Sequence, residues 1–388
     1  MRAIICFLLA VACLILIPVC IVMVLLIIQA EVNHSRYVAF GILALFITCL
    51  LWFQHLTDVA RHSGWWSVLF FLTTVSLFSW SYMSSPLGNT TEASAMFESV
   101  YLNEKAPYPR WHPANLISEP DQLKLASQFV SLGGMNLDRN GGKQSRDLVT
   151  QHYLELHRQA PEMKDFGSQL YTCYNQWFGQ VEGPNHLYVY RPGAGAKKKR
   201  PVLLLLHGKV GSLKAGLWAL HHAAEELGMA IVAPNFGLGR WGEQRETGFG
   251  VVEAALAYCA KDPGLDASAV TLVGYGAGGK GASYAMNQAP EKFRGAVYVS
   301  AELDRKDAHD LLGSRALPGP RKPVLIIQGG QVAKARLDEI NVVISELNRY
   351  GTPTTIKRAD EEGRLLLFSH PKSVSKRIAD WVRSAGRG

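Results

Sequence analysis

The run Val270-Thr271-Leu272-Val273-Gly274-Tyr275-Gly276-Ala277-Gly278-Gly279-Lys280-Gly281 decides how the C-terminal half of this chain is read. Apolar and β-branched residues lead into a cluster of glycines, and a stretch of helical character follows, ending near Gln288. A strand that stops in glycine and restarts as a helix makes a sharp turn. In the form Gly-x-Ser-x-Gly such a turn lifts a serine nucleophile out of the sheet. Here the form is Gly274-Tyr275-Gly276-Ala277-Gly278, with Gly276 at the serine's place. Glycine has no atom beyond Cα, so no side chain there can attack a carbonyl.

The same run satisfies two other patterns. As a Walker loop it reads Gly274-x-x-x-x-Gly279-Lys280, but Gly281 stands where Mg²⁺ binding needs a Ser or Thr hydroxyl. As a dinucleotide fingerprint it reads Gly274-x-Gly276-x-x-Gly279, with Glu302 and Asp304 at about the distance of the ribose-binding acid. A dinucleotide-binding Rossmann-type domain is therefore an alternative. Such a fingerprint usually opens its domain, whereas several strands precede this one.

Outward from the turn, apolar runs of strand length alternate with helical stretches. The strands fall at Leu187–Tyr190, Val202–Leu206, Ala230–Ala233, Val270–Val273, Ala296–Val299, Val324–Ile327 and Thr354–Lys357. Helical stretches include Leu213–Leu227, Val251–Ala260, Gly278–Gln288, Arg336–Arg349 and Lys372–Arg383. Continuous apolar strands mark a sheet buried on both faces, and the alternation predicts right-handed crossovers in a mostly parallel sheet. Gly228 and Gly351 stand just past helix ends, as C-cap glycines do.

Residues 180–386 resemble the α/β-hydrolase superfamily in its esterase-like branch. The resemblance rests on the elbow and on the segments around it. Leu203-Leu204-Leu205-Leu206-His207-Gly208 is an apolar strand ending in His-Gly, and a strand ending in Ala233-Pro234-Asn235 comes next. Gly279-Lys280-Gly281-Ala282 and Pro290-Glu291-Lys292-Phe293-Arg294-Gly295-Ala296-Val297 follow in the family's order.

The resemblance implies a nucleophile, a histidine base, an orienting carboxylate and two backbone donors for an oxyanion. On it, His207, Gly208 and Lys209 form the oxyanion loop, with the amides of Lys209 and Ala277 as donors. His370, before the last amphipathic helix, matches the family histidine, as a vestigial or candidate base. Val332 stands where the family acid would fall, and Asp304 is a weaker candidate acid from another loop. Ser283, two helical turns beyond the elbow, is a poor substitute nucleophile. The chain thus reads as a degenerate member whose site keeps its backbone donors and has lost its serine.

The N-terminal quarter is of another kind. Residues 3–28, 37–57 and 65–83 contain no Asp, Glu, Lys or Arg, each run being long enough to cross a ~30 Å hydrocarbon core as a helix. Tyr37, Trp52, Trp65, Trp66, Trp80 and Tyr82 sit near the edges of these runs, as an interfacial belt has them. The organisation expected is three membrane helices within residues 1–83, a linker and helical segment over 84–180, and an α/β-hydrolase-like domain over 181–388. Arg2 and Arg61 oppose Arg36, and Glu92, Glu98 and Glu104 follow the third span, so the large domain is expected on the extracytoplasmic side. Three spans exceed what an anchor needs. Thr73, Ser76 and Ser79 recur at helical spacing, so the third helix is expected to face protein, either the other spans or a partner in a homo-oligomer or with another membrane protein.

The six cysteines include Cys6, Cys13, Cys20 and Cys49 in the spans, leaving Cys173 and Cys259 as packing residues without a disulfide or C-x-x-C pattern. His221 and His222 are neighbours, without the i, i+4 spacing of a metal pair, and neither metal nor cofactor is expected. The net charge of +8 includes Lys197-Lys198-Lys199-Arg200, a solvated loop without the aromatic interleaving of a nucleic-acid surface. The function these features imply is a membrane-anchored binding or scaffolding subunit. An esterase or peptidase with an unconventional nucleophile is the alternative.

Overall fold

The computed structural model describes residues 2–385 except 58, 60–61, 88–91, 95, 103–107, 130–138, 165, 181–184, 194–198, 210–212, 313–320, 333 and 361. Arg61, Glu104 and Lys197-Lys198 of the basic run lie outside the described residues. The chain forms two compact units, Met1–Asn89 with Tyr108–Thr150, and Thr90–Pro107 with Gln151–Gly388.

The first unit holds α1 (Arg2–Gln29), α2 (Asn33–Leu56) and α3 (Ser63–Ser84). All three are long and apolar enough to cross a membrane, with mean hydropathies of 3.4, 2.0 and 1.2. Large apolar side chains stand exposed on all three helices, so small residues rather than an apolar stripe set where they meet. Gly41 of α2 lies under Phe78 of α3, where a Cβ would come within 3.1 Å of the ring. The buried residues of α3 are Ser63, Ser67, Thr74 and Ser81, the last three seven apart and hence on one face. The hydroxyls of Ser67 and Thr74 donate to the carbonyls of Gly64 and Phe70, at 2.6 and 2.9 Å, so these two side chains are satisfied within their own helix. Thr73, Ser76 and Ser79, the spacing singled out in the sequence, lie on the exposed side of α3 instead.

Two short helices, α4 (Pro113–Leu116) and α5 (Glu119–Phe129), complete the unit on the α1–α2 turn. Asp121 accepts the Glu31 amide at 2.8 Å, and the nearly buried Lys124 pairs with Glu31 at 2.6 Å.

The second unit is built on one nine-stranded sheet. Its strands are β1 (Glu92–Ala93), β2 (Phe97–Tyr101), β3 (His186–Tyr190), β4 (Arg200–Leu206), β5 (Ala230–Pro234), β6 (Leu265–Tyr275), β7 (Phe293–Val299), β8 (Val324–Gly329) and β9 (Thr354–Ala359). The spatial order is β1-β2-β3-β5-β4-β6-β7-β8-β9. Pairings from β1 to β5 are antiparallel, and those from β5 through β4 to β9 are parallel.

The connecting helices are α6 (Arg139–Gln159, its C-terminal half in this unit), α7 (Leu170–Trp177), α8 (Leu213–Leu227), α9 (Arg245–Lys261), α10 (Gly278–Gln288), α11 (Arg305–Leu312), α12 (Lys334–Arg349), α13 (Leu366–Ser369) and α14 (Pro371–Ala385). One group, α9 to α12, packs in succession, while α8 packs with α13 and α14. Val202, Leu204 and Leu206 of β4 join the core shared with α9, α10 and α12. The strand's two-residue alternation turns the equally buried Leu203 and Leu205 to the other face, where Leu205 lies beneath Gly216 of α8. This is the mostly parallel sheet with helices on both faces that the resemblance implies, the α/β-hydrolase fold. All seven expected strands are present, and Gly228 and Gly351 adopt positive φ at their helix ends.

The stretch read as a linker departs from expectation. Residues 97–101 pair along the whole of β3, carrying the sheet two strands beyond Leu187–Tyr190. Phe-Glu-Ser-Val-Tyr has a strand's composition, but the surrounding Pro, Asn and Thr give it no helical partner to alternate with. Only pairing with a distant edge makes it a strand.

Candidate functional site

The elbow is built by close approach. The last residue of β6 is Tyr275 and α10 begins at Gly278, leaving Gly276 and Ala277 to reverse the chain. Gly276 has φ +55°, the left-handed region that costs other L-residues about 1–2 kcal/mol. Its flanking glycines are required for contact rather than for angle. A Cβ on Gly274 would lie 2.7 Å from Gly279 Cα, and one on Gly278 would overlap the Leu206 carbonyl at the end of β4. At Gly276 itself a Cβ would meet only Gly208 Cα, at 3.5 Å. Position 276 thus combines a left-handed backbone with room for a small side chain.

The loop after β4 comes up against this turn. Buried His207 donates from Nδ1 to the Gly208 carbonyl at 2.8 Å and accepts the Phe236 amide at Nε2, at 3.0 Å. Both nitrogens are satisfied only in the neutral ring, and burial pushes its pKa down to about 4. The Trp241 indole donates to the His207 carbonyl at 2.8 Å. The part played by His207 is therefore to hold the loop, leaving amides rather than the imidazole for a ligand. The amide of Ala277 opens α10, where a helix has no acceptor of its own to offer. At the rim, Lys209 and Glu302 face each other at 3.7 Å.

The loop after β7 is clipped to the elbow on both sides. Gly276 donates to the Val299 carbonyl at 3.2 Å and accepts the Glu302 amide at 2.9 Å. Between these bonds lies Ser300, with φ +46°, the one non-glycine residue at positive φ among the described residues. It is 7% exposed, and its hydroxyl, like the Gln328 carbonyl oxygen on the next strand, has no partner. Sequence reasoning passed over Ser300, because a strained backbone leaves no mark in composition.

The candidate acid Asp304 serves a different purpose. It accepts the amides of Lys306 and Asp307 at the start of α11, at 2.8 and 3.2 Å, while Asp307 accepts the Asp304 amide at 2.8 Å. That reciprocal pair is a helix cap. Lys280, the lysine of the Walker-like pattern, reaches Asp304 at 2.5 Å and the buried Asp307 at 3.2 Å. Burial opposes both charges, yet these bonds hold Asp304 below, and Lys280 above, its ordinary pKa. A lysine held between two aspartates is not poised to take a phosphate. Ser283 donates back to Gly279 at 3.1 Å inside α10, as an ordinary helical serine does.

His370 has a carboxylate partner, and it is neither Asp304 nor a residue at 332. Glu362 lies 3.0 Å from His370 Nδ1, and its other oxygen accepts the Ser369 hydroxyl at 2.8 Å. The Glu362 carbonyl also accepts the Gln331 amide at 2.8 Å, which ties this loop to the end of β8. Phe368 meets Tyr275 edge-on at 5.2 Å, and the Tyr275 hydroxyl donates to the Arg364 carbonyl at 3.2 Å. The segment carrying Glu362 and His370 therefore packs on the elbow's own strand end. A carboxylate on Nδ1 leaves Nε2, on a ring that is 52% exposed, as the free nitrogen. Glu362 lies on the loop between β9 and α13, where nothing in the sequence singled it out.

α7, which carried no recognised chemistry, braces the loop after β5. Gln176 accepts the Leu238 amide at 2.7 Å, and Thr172 accepts from Asn235 at 2.8 Å.

No protein-family model matches the chain, and no curated protein matches it. Among solved structures, the Francisella virulence factor BioJ is 14% identical with a TM-score of 0.42, over 51% of this chain and 81% of that one. An esterase from Pyrobaculum calidifontis is 15% identical with a TM-score of 0.41, over 51% and 81%. S-formylglutathione hydrolase from Staphylococcus aureus is 18% identical with a TM-score of 0.41, over 50% and 89%. The fold assignment rests on the sheet and the elbow themselves.

Proposed function

We propose that this chain is a membrane-anchored pseudo-hydrolase, a binding or scaffolding subunit whose elbow holds a carbonyl or carboxylate group without cleaving it. The observation that carries this reading is Gly276, which has a nucleophile's backbone at φ +55° and no side chain. The amides at Ala277 and on the Gly208–Lys209 loop offer donors for a ligand oxygen, and the start of α10 favours negative charge there. The organisation that goes with it is a membrane domain over residues 1–83, a segment over 84–180 and the hydrolase-like domain over 181–388. The large domain lies on the extracytoplasmic side, and the three spans associate with one another or with a membrane partner.

The test is labelling of the full chain in gentle detergent with a fluorophosphonate probe, alongside aryl-ester hydrolysis. The expected result is no labelling, and hydrolysis equal to that of Gly276→Ala. Stable labelling, or turnover abolished by His370→Ala, overturns the reading. The His370–Glu362 pair favours a second reading, a site that takes its nucleophile from the substrate or a partner. Turnover that survives Ser283→Ala and Ser300→Ala, and that needs His370, would select it.

A further inference from the structure

We propose that His221, His222 and Glu225, on the last turns of α8, form a binding site for a divalent transition-metal ion of the zinc class. Each side chain offers one donor atom, and the three atoms lie within 4.8 Å of one another. Zinc takes imidazole nitrogen and carboxylate oxygen at about 2.0–2.2 Å, so the donors need to close by roughly 1 Å, a side-chain rotation. The two histidines alone lack the spacing of a metal pair. Glu225 supplies it, standing at i+4 from His221 and i+3 from His222.

The surroundings already hold the ligands as a metal site does. His221 Nδ1 bonds the Trp218 carbonyl, so that nitrogen carries the proton and Nε2 keeps its lone pair. A ligating histidine is ordinarily fixed in this way by a second partner. The ring faces of His221 are covered by Trp218 and His222, both with centroids 3.8 Å away, which leaves the ring edge as its reactive side. The Tyr190 hydroxyl donates to Glu225 at 3.0 Å, orienting the carboxylate, whose other oxygen lies 3.9 Å from His222 Nδ1.

Charge points the same way. Glu225 and Glu226 sit in the last turn of α8, where negative charge opposes the helix dipole. Glu226 is offset by Arg383 at 2.7 Å, whereas the Glu225 partners above are a neutral phenol and an imidazole. Glu155 adds negative charge near both histidines. Lys372, facing His222, is the opposing charge. Two imidazoles and a carboxylate suit zinc and its neighbours better than Mg²⁺ or Ca²⁺.

The experiment uses the full-length, untagged chain in detergent, stripped with chelator, incubated with ZnCl₂ and desalted. We expect one zinc per chain by elemental mass spectrometry, a higher Tm with zinc, and protection of histidines from diethyl pyrocarbonate. His222→Ala and Glu225→Gln, both on side chains that reach solvent, should each lower retained zinc at least tenfold. His309→Ala should retain it. Absence of bound zinc, or zinc unchanged by both substitutions, overturns the site. If a variant fails to fold, the absence of zinc-dependent protection in the unmodified chain overturns it equally.

Discussion

Alanine placed in turn at Gly274, Gly276 and Gly278 tests the elbow with three adjacent and unequal costs. At Gly276 the added Cβ meets only Gly208 Cα, at 3.5 Å, an ordinary contact distance, so the cost is one of angle. Left-handed backbone costs a non-glycine residue about 1–2 kcal/mol, and the stiffer unfolded chain returns about 0.4–1 kcal/mol. The net loss is about 1 kcal/mol, or roughly 2–4 °C in Tm for a domain of this size. At Gly278 the Cβ would overlap the Leu206 carbonyl and lie 2.8 Å from that of His207. Helix α10 must then lift from the end of β4, where overpacking costs about 3 kcal/mol or more, roughly 6–12 °C. Gly274, with its Cβ 2.7 Å from Gly279 Cα, should behave like Gly278. Thermal unfolding of the full chain in detergent, followed by circular dichroism, reads all three. Equal losses at the three positions, or a loss at 276 as large as at 278, would refute the elbow.

Ser300→Gly removes a left-handed serine and a buried, partnerless hydroxyl, and should raise stability by about 1 kcal/mol, with Tm increasing by roughly 2–4 °C. A fall in Tm would mean that the hydroxyl is bound in the native protein. The folded pKa of His207, about 4, lies below the ordinary histidine value of 6.5, so the unfolded chain binds more protons between these two values. Stability is therefore complete above pH 6.5 and should fall by about 3 kcal/mol as pH drops to about 4. Denaturant titrations across that window should show His207→Gln with a correspondingly flatter slope. Asp307 is fully buried between Lys280 and Arg245, which keep Asp304 and Asp310 as partners when it is removed, so Asp307→Ala should cost about 1.5–3 kcal/mol by urea unfolding, the loss of its charged hydrogen bonds. A cost below about 1 kcal/mol would show the cluster to be solvated.

Local pattern made much of this protein legible before any coordinates. Uncharged runs of more than eighteen residues specify membrane-length helices, because a bilayer core demands a continuous apolar length. Buried parallel strands must be apolar on both faces, so Val202–Leu206 and Val324–Ile327 could be read as strands from sequence. The glycines at 274 and 278 marked the turn because backbone contact excludes a Cβ there, and glycine at 276 because positive φ favours it.

What needed the tertiary structure was each feature that depends on residues meeting from far along the chain. Glu362 became the partner of His370, and Asp304 a helix cap, because loop paths rather than spacing decide which carboxylate reaches which base. Strand β2 existed only once β3 offered it an edge. In the membrane unit, helical spacing singled out Thr73, Ser76 and Ser79, whereas the buried face of α3 carries a second set, Ser67, Thr74 and Ser81. The second set was chosen by the shape of α2, where Gly41 admits Phe78. A sequence states each residue's own preference, whereas a site is made of distances between preferences, and those are fixed only when the chain has closed on itself.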